Sequence, residues 1–68
     1  MINITLATNI KTLRHDRKVG QSALAKALNV SVKTVSHWET GYTEPSIMQL
    51  VQIADFFDVT LDELVGMN

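Results

Sequence analysis

"GQSALAKALNVSVKTVSHWETG", residues 20–41, is the stretch whose reading decides the fold. Leu24, Ala25 and Leu28 fall on one face of a helix that opens at Gln21 and closes at Leu28. Asn29 tolerates the left-handed conformation that ends helices, and Ser31 is a good N-cap for the next one. Two helices joined by a very short turn result. Val30 stands just before that cap and Val35 four helical positions after it, the spacing of a hydrophobic staple that fixes the angle between the two. The second helix stops at Thr40-Gly41, where glycine supplies the positive φ of a C-terminal stop.

On the N-terminal side, Leu6, Ile10 and Leu13 repeat at i, i+4, i+7, and the pattern stops near Lys18. The alternation Ile2, Ile4, Leu6 overlaps its start and reads either as a strand added to a partner or as a helix lead-in. On the C-terminal side, Ser46 and Gln49 make a capping box after Pro45, and Leu50, Ile53, Ala54 and Phe57 form an apolar stripe. A second box, Thr60 with Glu63, opens a short last helix that Val59 staples through Leu64. The expectation is one all-α domain over residues 1–68, with five helices over about 6–17, 21–28, 32–40, 47–57 and 61–65 and no repeat.

Composition narrows the function classes. The chain has 68 residues, 46% hydrophobic and 19% charged, which fits one globular core with little stability to spare. It has no cysteine, so no disulfide framework and no zinc-thiolate site. Neither a signal peptide nor a membrane span is evident, and the expected location is the cytoplasm. The net charge of −1 argues against nucleic acid, but its distribution argues the other way. Residues 1–43 hold all six basic residues (Lys11, Arg14, Arg17, Lys18, Lys26 and Lys33) against Asp16 and Glu39, a local net of +4. Residues 44–68 hold Glu44, Asp55, Asp58, Asp62 and Glu63 with no Lys or Arg, a net of −5. That asymmetry suggests a positive face for a polyanion and an acidic back.

The helix over 32–40 has two opposed faces. At 100° per residue from Val32, the residues Val32, Ser36, Thr40, Lys33 and His37 fall at about 0°, 40°, 80°, 100° and 140°. Trp38 and Val35 fall near 240° and 300°, so they alone turn inward. One cation, one imidazole, two hydroxyls and one apolar side chain suit base edges: Lys33 and His37 donate to guanine acceptors, and Val32 can touch a thymine methyl. By composition alone the same face also reads as an ordinary solvated surface.

The whole string, with "WE-x-G" (Trp38, Glu39, Gly41), "PS" (Pro45, Ser46) and "VTLDEL" (59–64), resembles the helix-turn-helix of the phage-repressor or Cro-like family of XRE-type regulators. The resemblance runs from Leu6 to Leu64 and implies a compact five-helix lambda-repressor-like domain whose third helix enters the major groove. It places base contacts on Val32, Lys33, Ser36 and His37, and phosphate contacts on Gln21, Ser31, Thr34 and Thr43. It also implies a structural ion pair between Arg14 and Glu39. Three residues depart from the pattern. Gly20 stands where a serine cap is usual, Asn29 replaces the turn glycine, and "GYTEP" (41–45) carries Glu44 where relatives often have a cation. Modest affinity follows, and reliance on a homodimer bound to a palindromic operator, with half-sites about one helical turn apart.

Phe56 lies beside the core position Phe57, and with Ile2, Ile4 and Met67 it forms a candidate dimer surface. An enzyme is not expected, because His15 and His37 lie far apart in sequence and no nucleophile, carboxylate cluster or phosphate loop accompanies them. No metal or cofactor is called for. The reading is a DNA-binding transcriptional repressor; the competing one is a protein-interaction module of the same fold, such as an antitoxin or adaptor. Control is expected from the protein's own concentration, from proteolysis or from a protein partner or anti-repressor.

Overall fold

The computed structural model describes residues 4–66, and within them the short turn at Asn29 sets the arrangement of everything else. Helix α2 (Gln21–Leu28) ends where Asn29 turns left-handed at φ 57, and α3 (Val32–Thr40) starts two residues later from Ser31. Ser31 Oγ accepts the Thr34 N–H, which satisfies one of the free donors at the start of α3. Gly20, by contrast, caps α2 with no side-chain hydrogen bond. The remaining helices are α1 (Ile4–Asp16), α4 (Ile47–Phe57) and α5 (Leu61–Val65), and no strand occurs among the described residues.

Leu6 and Ile10 of α1, Leu24, Ala25 and Leu28 of α2, Val35 and Trp38 of α3, Ile53, Ala54 and Phe57 of α4, and Leu64 of α5 meet in one core. α1 packs on α3 and α5, α2 on α3 and α4, and α4 on α5. Two capping boxes start α4 and α5: Ser46 and Thr60 accept from the backbone three residues on, and Gln49 and Glu63 accept from the cap N–H groups.

Four findings differ from the sequence reading or were absent from it. α1 begins at Ile4 rather than near residue 6, so Ile4 and Leu6 belong to a helix and not to a strand. Its end is a left-handed Lys18, φ 55, whose neighbour Val19 donates to Arg14 C=O at 2.9 Å. Arg17, counted with the cations of a positive face, instead donates from Nη1 to Phe57 C=O at 2.8 Å. A cation at that helix end opposes the negative pole of α4, where Asp58 takes φ 57 and adds an unfavourable carboxylate. Finally, Asn9 Nδ2 donates to Leu64 C=O at 2.9 Å and ties α1 to the last turn of α5.

Of the residues read as a dimer surface, Ile2, Met67 and the side chain of Ile4 lie outside the described residues. Phe56 is 40% exposed and meets Phe57 edge to face, with ring centroids 4.9 Å apart.

Candidate nucleic-acid interface

The nine residues of α3 carry both the anchor and the candidate base contacts. Val35 and Trp38 are buried, and they hold the helix through its inner side. Glu39 adds a polar anchor. Its side chain is 4% exposed and accepts from Arg14 Nε at 2.6 Å, from Arg14 Nη2 at 3.0 Å and from Gln21 Nε2 at 3.1 Å. Arg14 also donates from Nη1 to Val19 C=O at 2.9 Å, so one guanidinium links α1, the α1–α2 turn and α3. Burial alone would push the Glu39 carboxyl up, but the hydrogen bonds from Arg14 and Gln21 and the positive charges of Arg14 and Lys11 outweigh it. The carboxyl therefore sits below the ordinary glutamate range, and the same bond raises Arg14.

The outward side of α3 presents the other set. Val32 is 43% exposed, Lys33 is exposed, and Ser36 and His37 are half-buried. His37 is not isolated: the Tyr42 ring leans on it with centroids 4.7 Å apart and planes at 59°.

Of the four residues assigned to phosphate, the structure brings two together. Ser31 Oγ and Thr34 Oγ1 are hydrogen-bonded at 2.9 Å, so one of their two hydroxyl protons is already used. The pair has a single O–H left to offer an anion, beside the free N–H groups that begin the helix. Gln21 opens α2, half-buried, with one amide proton committed to Glu39 and one left over. Thr43 is exposed in the turn after α3, where its N–H donates to His37 C=O. The Ser31–Thr34 bond had a signal in the S-x-x-T spacing, whereas the Tyr42–His37 contact depends on the hand of the turn at Gly41.

Among the described residues, no group of three His, Cys, Asp or Glu could hold a metal ion, and no helix is long and apolar enough to cross a membrane.

Residues 10–64 match the helix-turn-helix family. The chain belongs to that family. The helix-turn-helix is the α2–Asn29–α3 unit, and the match covers all of the core elements but the first turns of α1. The chain is 39% identical over 57 residues to the transcriptional activator BcrR of Enterococcus faecalis, covering 84% of this chain and 28% of that protein. It is 37% identical over 54 residues to the transcriptional regulator AnsR of Bacillus subtilis, covering 79% of this chain and 47% of that protein. It thus spans less than half the length of either relative. Among solved structures, the P22 c2 repressor in complex with a synthetic operator superposes with a TM-score of 0.85 at 28% identity, covering 93% of this chain and 96% of that one.

Proposed function

We propose that this helix-turn-helix protein is a sequence-specific, double-stranded DNA-binding transcriptional regulator. One observation carries the reading. α3 is anchored from within by Val35, Trp38 and Glu39, and its outward side presents Val32, Lys33, Ser36 and His37 with no core duty for Val32 or Lys33. A helix so held can be laid in a major groove as a rigid reader, with Lys33 and His37 as donors to base acceptors and Val32 as an apolar contact. Gln21, the one free hydroxyl of the Ser31–Thr34 pair, and Thr43 then face phosphates. These groups are neutral, so they fix register more than they add affinity.

Two copies on a palindromic operator supply the affinity that one copy lacks, and Phe56 is the described residue best placed to contribute to the contact between copies. Repression is the reading we adopt, since occupying an operator suffices for it whereas activation needs a further contact with the transcription machinery. DNA is met in the cytoplasm, no catalytic step is assigned, and control falls to a protein partner or anti-repressor.

Selection from a random duplex library at near-physiological salt tests the proposal. A two-fold symmetric site with half-sites about 10 base pairs apart is expected, lost in Lys33→Ala and His37→Ala variants that remain folded. Folded protein that enriches nothing would overturn it and favour the protein-interaction reading, with the apolar side chains of Ile47, Met48 and Val51 exposed on α4 as the surface to pursue.

A further inference from the structure

We infer that Tyr42 is a positioning residue for recognition: its ring, tilted against His37, holds the imidazole in one orientation on the outward face of α3. The inference rests on the DNA-reading role proposed above and deepens it, since Tyr42 would set specificity without touching a base.

The geometry begins with the end of α3. Gly41 takes φ 78, and the chain folds back over the last turn of the helix. The carbonyl oxygen of His37 is the point on which this reversal closes. It accepts from the Tyr42 N–H at 2.9 Å, the Thr43 N–H at 3.3 Å and the Thr40 hydroxyl at 3.2 Å. The Gly41 N–H also reaches this oxygen, so the His37 backbone is held by the whole reversal, which brings the Tyr42 ring against the imidazole.

Core packing does not account for that ring. Tyr42 is 73% exposed and belongs to no part of the buried cluster, so the aromatic residue of this loop has His37 as its ring partner and water around the rest. A tilted pair at this separation is in the range where aromatic rings attract one another beyond simple burial. The consequence lies in entropy. A half-exposed histidine samples several rotamers and must give them up to donate to a base in a fixed direction. A ring already held in place has given them up before DNA arrives. From the usual cost of ordering one interfacial side chain, the gain at the base pair that His37 reads is about two- to tenfold.

The Tyr42 hydroxyl offers a competing role, a direct bond to phosphate. The two roles separate cleanly. Tyr42→Phe keeps the ring and removes the hydroxyl; Tyr42→Ala removes both, and its exposure leaves the fold intact, which circular dichroism would verify. The binding site selected by the wild-type chain is then titrated with each variant, alongside duplexes substituted at each position. The same set is measured in a His37→Ala background.

The expected result is a two- to tenfold loss of discrimination by Tyr42→Ala, confined to the base pair whose identity His37→Ala also ceases to read. Tyr42→Phe should restore it, and Tyr42→Ala should add nothing once His37 is gone. Equal weakening of all duplexes by both Tyr42 variants would overturn the role and assign the hydroxyl to phosphate. Wild-type selection with Tyr42→Ala indistinguishable from it would overturn the positioning role alone. Wild-type protein that selects no site would overturn the regulator reading and this role with it.

Discussion

Glu39→Ala is the substitution that weighs most heavily on this fold. It removes an acceptor of three hydrogen bonds, two of them from an arginine whose side chain is 11% exposed. Breaking a buried pair from one side costs about 3–5 kcal/mol, because the remaining charge is left without its partner. Here the lower end applies: Arg14 keeps Val19 C=O and lies close enough to the surface to recruit water. A chain of this length has a total stability of only about 3–5 kcal/mol, so a loss near 3 removes most of it. Trp38, the single tryptophan, is 3% exposed and reports unfolding through its emission. With a urea m-value of about 1 kcal/mol/M, the midpoint should fall by about 3 M or the transition should vanish at 25 °C. Arg14→Met with Glu39→Leu removes both charges and should return to within about 1 kcal/mol of wild type. A Glu39→Ala loss below about 1 kcal/mol would refute the reasoning, as would a double variant no better than the single one.

Acid should weaken the protein through the same residue. The folded Glu39 carboxyl is held below its ordinary value, so its stabilisation is complete above about 4.3 and is lost as pH falls through the lower folded value. Glu63, lowered by the Thr60 N–H and then the Thr60 hydroxyl, acts in the same direction. Urea titrations at pH 7, 4.5 and 3 should show a steeper acid loss in wild type than in the Arg14→Met/Glu39→Leu variant; equal slopes would contradict this. Gly20→Ser should raise stability by a few tenths of a kcal/mol, about 1–3 °C in melting temperature, because the site has cap geometry and open space for a Cβ. Gly66→Ala should cost about 1–3 kcal/mol, since φ is +80 and the new Cβ would run into Thr5 Cγ2. Thr5→Ala should relieve part of that cost, and a Gly66→Ala variant as stable as wild type in calorimetry would show that the two segments do not meet.

The helices were legible because their ends are written locally. Ser46 with Gln49, Thr60 with Glu63, and Ser31 before an apolar position each state a start within four residues. The start of α1 differs by two residues from the periodicity reading because the apolar alternation Ile2, Ile4, Leu6 is compatible with either period. The left-handed end at Asp58 was illegible for a different reason. What offsets it is the Arg17 guanidinium on Phe57 C=O, forty residues away in sequence, and no local pattern foretells such a bond. The two faces of α3 followed from 100° periodicity alone, as did the inward turn of Val35 and Trp38. What periodicity cannot supply is how many donors each outward residue keeps. The Ser31–Thr34 bond, the Gln21–Glu39 bond and the Tyr42 ring all redistribute that capacity; the first is local and has a signal in the S-x-x-T spacing, whereas the other two are tertiary or turn-dependent contacts.

That redistribution separates two kinds of residue along α3. Val35 and Trp38, which are buried, and Glu39, whose carboxylate is enclosed by Arg14 and Gln21, bear on stability, since each loss leaves a cavity or an unpaired charge. Val32 and Lys33 bear little of it, because both are exposed and neither belongs to the core cluster. A change of base preference can therefore be made at positions 32 and 33 without eroding a small stability margin. His37 and Ser36 stand between the two kinds. They are half-buried, and His37 is locked to the turn that ends the helix, so altering the base read there also disturbs how the following loop closes. Recognition by this domain should accordingly diversify first at the N-terminal end of α3 and last at its C-terminal end, where the backbone reversal at Gly41 and the aromatic ring of Tyr42 constrain what the helix can carry.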